Sequence, residues 1–378
     1  MNTATAPPAP LDAGPPGPAR RTGPHALDVT DVRPLTADTA AVTLDVPAAL
    51  RDVFRHRPGQ HVTVRHHRDG AELRRTYSVC PPPRRPGTLR LVVKRAGPGG
   101  FGEHATTRLA PGDRLEVWPP AGHFAVPELP GAHHVLLAGG TGITPLAPMA
   151  AHALRRDPAC RVSLVHSART AADALLADEM AELKDEFVDR LTVLYVLTRE
   201  DPGSGAGPLA RRLDAAGLRR VLTAVDARPG PGTAFALCGP PGLTDTARRV
   251  LAEWGAEPSL VRWESFTSGD GPARPPEPAG PAPEAGQARV TALLDGRRRT
   301  ATVLPHDPAL LDALLRTHPD VPYACREGVC GSCRAKVLSG QVTADRQHAL
   351  DEADLAAGYT LVCRARPRTP EITLDFDA

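Results

Sequence analysis

Between Leu27 and Leu129 apolar and polar positions alternate in short runs: His61-Val-Thr-Val-Arg65, Arg75-Thr-Tyr-Ser-Val79, Leu89-Arg-Leu-Val-Val-Lys94 and Arg114-Leu-Glu-Val-Trp118. A period of two, punctuated by Gly/Pro turns, predicts half-buried antiparallel strands and a small β-barrel. From His133 the rhythm changes. Val135-Leu-Leu-Ala138, Val162-Ser-Leu-Val165, Thr192-Val-Leu-Tyr-Val196 and Ala234-Phe-Ala-Leu-Cys238 are nearly continuous apolar runs that alternate with helical stretches. That pattern predicts a parallel sheet covered on both faces, an α/β domain. The last segment, Ala288 to Ala378, holds short strands and a predicted helix from Pro308 to Thr317 around a cysteine-bearing loop. Its length suits a β-grasp module.

Composition marks the joints. Residues 1–24 and 267–287 are rich in Pro, Ala and Gly and poor in large apolar residues, so they are expected to be a disordered tail and a flexible linker. The expected domains are therefore a barrel at 25–130, an α/β domain at 131–266 and the cysteine-bearing domain at 288–378. A formal net charge of +2 gives no reason to invoke nucleic acid. No run approaches the roughly 18 uninterrupted apolar residues of a membrane span, and no signal-peptide pattern opens the chain. Cys80, Cys160 and Cys238 form no disulfide framework. A soluble, cytoplasmic protein is expected. The pairs His66-His67 and His133-His134 lack a ligand set and read as solvated surface.

The strongest chemical signal is Cys325-Arg-Glu-Gly-Val-Cys330-Gly-Ser-Cys333 with a distant Cys363. The spacing C-x4-C-x2-C…C is that of a plant-type [2Fe–2S] site held by four thiolates. Gly328 and Gly331 let such a loop close tightly with N–H groups turned to the sulfurs. A structural zinc site is the alternative, but it commonly brings two short Cys or Cys/His pairs rather than a trio and a single cysteine. A second signal is the first βα turn of the α/β segment, Gly139-Gly140-Thr141-Gly142-Ile143-Thr144-Pro145. Glycines there allow a pyrophosphate close to the backbone, with Thr144 placed to cap the following helix and Pro145 at its first position. Tight packing alone would also call for glycines.

Arg75-Thr-Tyr77-Ser78, the Gly139–Pro145 turn and Cys238-Gly239-Pro240, in that order, resemble the ferredoxin-NADP reductase superfamily, with a fused plant-type ferredoxin at the C-terminal end. With Arg57-Pro-Gly59-Gln60-His61, Glu72 to Ser78 and the ending Ile372 to Ala378, the chain is similar to the reductase components of phenylacetyl-CoA ring 1,2-epoxidases. The resemblance implies a flavin-binding barrel, a nicotinamide-binding α/β domain and a β-grasp ferredoxin domain. It implies that Arg75 pairs with flavin phosphate, Tyr77 lies along the flavin and Ser78 sits near its reactive nitrogen. Lys94 and the loop Gly99-Gly100-Phe101-Gly102 resemble the second flavin segment, although Gly102 stands where Ser or Thr is common. Gly140, Thr141, Gly142, Thr144, Gly239 and Pro240 would hold the nicotinamide cofactor. Cys238 would line the path between nicotinamide and flavin, unless it is a plain core cysteine. Glu264 and Phe266 would close over the flavin, with Glu264 orienting the transfer.

The resemblance further implies FAD, with FMN as the alternative, and a path from NADPH through flavin and [2Fe–2S] to separate oxygenase subunits of the di-iron type. Reductases of a Rieske oxygenase, a cytochrome P450 or a desaturase share the same modules, and a binding module with an inactive reductase half is the non-catalytic alternative. No paired E-x-x-H helices or haem motif of its own is present. Val162–Val165 is followed by Ser167-Ala-Arg169 without a carboxylate, so Arg169, helped by Arg199, is expected to favour NADPH over NADH.

Overall fold

The computed structural model describes residues 23–68, 70–80, 87–200, 212–266, 288–345, 347–350 and 352–378. Residues 1–22 of the expected tail and the whole of the expected linker lie outside the described residues. Six strands, β1 (His25–Thr36), β2 (Thr39–Asp45), β3 (His61–Arg68), β4 (Ala71–Cys80), β5 (Thr88–Lys94) and β6 (Arg114–Val117), close into an antiparallel barrel of order β1-β2-β5-β4-β3-β6. The alternation seen in sequence puts Val62, Val64, Leu89, Leu91 and Val93 inside it. A short helix, α1 (Phe101–Thr107), plugs the barrel with the fully buried Phe101. Strands β1 and β2 were not among the runs picked out by alternation; β2 is buried at nearly every position, so it carries no period of two.

The second layer is a parallel sheet of order β11-β10-β7-β8-β9, built from β7 (His133–Gly139), β8 (Arg161–Ala168), β9 (Leu191–Leu197), β10 (Thr233–Gly239) and β11 (Val261–Ser265). Helices α2 (Ile143–Arg156), α3 (Ala177–Glu186), α4 (Ala215–Ala224) and α5 (Pro241–Glu253) connect its strands. Strands β7 and β10 are buried at all seven positions, as central parallel strands require. This overturns the surface reading of His133 and His134, which are 4 % and 5 % exposed because they open the central strand. Burial pushes the His133 ring down to about 4, and its Nε2 lies 2.8 Å from Ser163 Oγ. Of the other pair, His67 is exposed, while His66 stacks on His104 at 5.1 Å.

The third unit contains β12 (Ala288–Leu294), β13 (Arg297–Val303), α6 (Leu310–Leu315), β14 (Arg334–Ser339), β15 (Val342–Ala344), α7 (Glu352–Ala356), β16 (Tyr359–Leu361), β17 (Ala365–Pro367) and β18 (Glu371–Asp375). Its main sheet runs β13-β12-β18-β14-β16, with β12 and β18 parallel and α6 packed across it, the β-grasp arrangement. The helix is shorter than the predicted Pro308–Thr317. Arg364, 1 % exposed, is held by Asp345 through two hydrogen bonds of 2.9 and 2.5 Å.

The barrel and the α/β domain share one apolar core, in which Cys80, Val92 and Phe124 meet Ile143, Leu146 and Met149 of α2. Gly59 shows how close the junction is. At φ +90° its absent Cβ would stand 2.0 Å from Phe124 O and 2.3 Å from Met149 Cε. Among the described residues no helix is long and apolar enough to cross a membrane.

Candidate functional site

A cleft of about 660 Å³ opens where the three domains meet. The barrel contributes Arg75, Tyr77, Ser78 and Lys94, the α/β domain Gly140, Thr141, Thr144, Pro240, Glu264 and Phe266, and the β-grasp domain Cys325 and Cys330. These residues are scattered over the chain and come together because β4, the β7 and β10 turns, β11 and the cysteine loop all end on one side. His61, Arg74 and Ser265 also line the cleft and were not singled out as site residues.

On the barrel wall, β4 runs along the cleft from Glu72 to Ser78, and Ser78 lies opposite His61 in the β3–β4 register. Ser78 Oγ is buried with no hydrogen-bond partner among the described residues, as is Glu264 Oε2. Unpaired buried polar atoms are costly, so two of them in one cleft fit a polar ligand such as a flavin ring, which supplies both donors and acceptors. Tyr77 leans on Phe101 with ring centroids 5.6 Å apart. Lys94 lies 3.6 Å from Asp38. The Gly99–Gly102 loop does not line the cleft. Gly99 N–H already donates to Glu103 Oε2 at 2.5 Å, and a Cβ at Gly102 would lie 2.4 Å from Lys94 O. Glycine stands at 102, where Ser or Thr is common, because the strand backbone passes too close for either.

The glycines of the α/β turn divide by role. Gly140 takes φ +54° with open space around it, facing the cleft. Gly139, Gly142 and Gly239 serve packing: a Cβ on Gly142 would sit 2.0 Å from Cys238 O, and Gly239 at φ +155° touches the Gly139 backbone. Thr144 does not cap α2. The helix begins at Ile143, so Thr144 and Pro145 are its second and third residues, and Thr144 Oγ1 donates back to Thr141 O at 2.9 Å. The Gly140 carbonyl is met by His166 Nε2 at 3.0 Å. His166 is fully buried, and that burial pushes it down to about 4, so it is neutral and can donate to the carbonyl.

Cys238 is buried beneath the turn, paired in register with Glu264 across β10 and β11. Burial, then the neighbouring carboxyl, push its thiol well above the usual range. Glu264 is itself pushed up to about 8 by burial. Phe266 N–H donates to Gly239 O at 3.0 Å, which ties the end of β11 to the β10 turn.

Arg169 stands away from this wall, at the end of β8. It pairs with Asp173 at 2.6 Å and Asp38 at 3.1 Å, and Arg199 N–H donates to its carbonyl at 2.7 Å. The strand end therefore does present a carboxylate. Asp173 was missed because a 3-10 turn at Ala171–Asp173 folds it back, an effect that strand-end counting does not capture.

In the β-grasp domain Gly328 and Gly331 take φ +75° and +71°, turning the loop as expected. The four thiols neighbour one another two by two, Cys325 beside Cys330 and Cys333 beside Cys363. A hydrogen bond from Cys330 and backbone N–H groups lower Cys325 to about 6. Two pairs fit two irons with two thiolates each.

The family models agree with this division. The model described as "Oxidoreductase FAD-binding domain" matches residues 26–126, "Oxidoreductase NAD-binding domain" matches 136–249, and "2Fe-2S iron-sulfur cluster binding domain" matches 292–368. A component of the 1,2-phenylacetyl-CoA epoxidase of Escherichia coli (strain K12) is 34% identical over 94% of this chain and 98% of its own. The chain belongs to the ferredoxin-NADP reductase-type oxygenase reductases with a C-terminal [2Fe–2S] domain. The ferredoxin reductase component of the 3-ketosteroid-9-alpha-monooxygenase of Rhodococcus rhodochrous is also 34% identical, over 93% of this chain and 96% of its own. Among solved structures, phthalate dioxygenase reductase aligns over 94% of this chain and 98% of its own, with a TM-score of 0.54 and 24% identity, which supports the fold. This oxygenase reductase is thus an oxidoreductase with FAD, nicotinamide and [2Fe–2S] domains.

Proposed function

We propose that this reductase serves a phenylacetyl-CoA ring epoxidase, taking electrons from NADPH and passing them to separate di-iron oxygenase subunits. The observation that carries the reading is the end-to-end likeness to the E. coli epoxidase component, 98% of which is covered. When bound, the flavin accepts a hydride from the nicotinamide and releases electrons singly to the cluster. The chain's own part is positional. Arg75 supplies a fixed guanidinium for flavin phosphate, Tyr77 a flat wall, and Ser78 and Glu264 the polar atoms left unpaired in the cleft. Gly140, Thr141, Gly142, Thr144, Gly239 and Pro240 shape the nicotinamide turn, and Cys238 fills the space behind it with a neutral thiol. Cys325, Cys330, Cys333 and Cys363 hold the cluster, the first two beside the same cleft.

NADPH is the proposed donor because the backbones of Arg169 and Arg199 meet just past the ends of adjacent strands, which gives a 2′-phosphate one fixed guanidinium and a second arginine nearby. Asp38 and Asp173 hold Arg169 in place until the phosphate competes for it. Specificity constants test this: NADPH should be favoured and Arg169→Ala should erase the preference, whereas equal or better values with NADH, unaffected by that change, would refute it.

A ketosteroid monooxygenase is the second reading, favoured by the equal identity of the Rhodococcus protein. The deciding experiment pairs the purified reductase with each oxygenase. Phenylacetyl-CoA epoxidation supported at a higher rate than steroid hydroxylation upholds the first reading; the reverse replaces it.

A further inference from the structure

Two side chains that line the cleft from the barrel side, Arg74 and His61, also reach into the β-grasp domain. Arg74 on β4 is 5 % exposed. Its guanidinium lies 4.3 Å from the ring centroid of Trp118, in the barrel, and 4.0 Å from that of Tyr323, two residues before Cys325. Its Nε donates to Glu72 at 2.6 Å and its Nη2 to Pro319 O at 3.5 Å, so the plane is fixed by an acid of its own domain and by a carbonyl across the junction. A planar guanidinium offers its faces to aromatic rings and its edge N–H groups to an acid and a carbonyl, a division that a compact lysine ammonium does not make. The second contact is His61, 3 % exposed, whose Nε2 lies 3.2 Å from Ser332 Oγ between Cys330 and Cys333. Gly122 makes room for that ring, since a Cβ there would stand 2.9 Å from its Nδ1.

Resting on the reductase reading, we propose that Arg74 and His61 form a two-point latch that docks the cluster loop over the flavin cleft. Arg74 is the positioning residue that sets the rate of electron transfer from flavin to cluster. The two contacts straddle the loop: one grips the approach to Cys325, the other the turn between Cys330 and Cys333. Together they fix its distance and its tilt, where one contact would leave it free to pivot. A desolvated cation–π contact is of a size that changes a docking constant by about thirtyfold.

The test uses the holoprotein in anaerobic stopped flow, following flavin bleaching by NADPH and then cluster reduction. Trp118→Leu, Tyr323→Leu, their combination and the conservative Tyr323→Phe are compared, with small-angle scattering on each protein, cofactor-loaded and stripped. Each Leu variant should slow cluster reduction by about fivefold or more, leave bleaching within about twofold and raise the radius of gyration in both states. Tyr323→Phe should behave as the parent. Because both rings act through one guanidinium, the double variant should be little slower than the slower single. Wild-type cluster reduction in both single variants, or a double effect equal to the product of the two, overturns the latch. If Tyr323→Leu lowers cluster content, Trp118→Leu decides alone, since it touches no thiol. Failure of the unmodified protein to bleach would count against the reductase reading and not against the latch.

Discussion

Glu264 and His61 stand with Oε1 and Nδ1 3.9 Å apart, yet they do not form an ion pair at neutral pH. Burial pushes the carboxyl up to about 8 and the imidazole down to about 4, so both are neutral between those values. The sign of the linkage follows from proton counts. Below about 4.5 Glu264 is protonated in both folded and unfolded chains. Between about 4.5 and 8 the folded chain keeps a proton that the unfolded chain releases, so stability falls as pH rises, by about 1.4 kcal/mol per pH unit. Over the whole window that is at most about 5 kcal/mol, an upper bound for a side chain still 12 % exposed. His61 acts oppositely: its folded value is depressed, so its contribution is gained as pH rises from about 4 to 6.5. Glu264→Gln isolates the acid, because the amide mimics the protonated form and does not titrate. The stability difference between parent and variant should therefore narrow or reverse steadily as pH rises from 5 to 8. The infrared band of a protonated carboxyl, present in the parent and missing in the variant, should vanish with a midpoint near 8. A flat stability difference, or a band already lost near the ordinary 4.5, would refute the reasoning.

Gly142→Ala should cost about 1–3 kcal/mol in urea unfolding, because its methyl meets Cys238 O at 2.0 Å. Gly140→Ala should cost only the left-handed strain of about 1–2 kcal/mol; equal losses would refute the division of roles. Cys325→Ser should keep flavin bleaching by NADPH and ferricyanide reduction while abolishing delivery to the oxygenase; normal partner turnover would break the proposed order. Cys238→Ala should slow bleaching and leave the cluster spectrum unchanged, and an unchanged rate would return Cys238 to a plain core role.

The sheets were legible because their burial leaves a period: two in the barrel strands that face water on one side, none in β7 and β10, which are covered on both. The cysteine spacing was legible because the loop that turns it is local, with both left-handed glycines inside it. What failed were residues whose environment comes from elsewhere in the chain. His133 and His134 look like surface because imidazole is polar, yet a central strand buries them and Ser163, thirty residues away, partners one. At Gly142 the pattern did not show that a side chain there would meet the backbone of Cys238. Arg74 was not singled out in sequence, where it stands as one arginine beside another. It is buried against Trp118 of its own domain and Tyr323 of another. Periodicity specifies which face of an element is covered by its own domain; it carries no mark of a face covered by a different one. The junction where electrons must cross is therefore the part of the molecule that local pattern could least describe. Its residues are found only by asking which polar side chains are buried without a local reason.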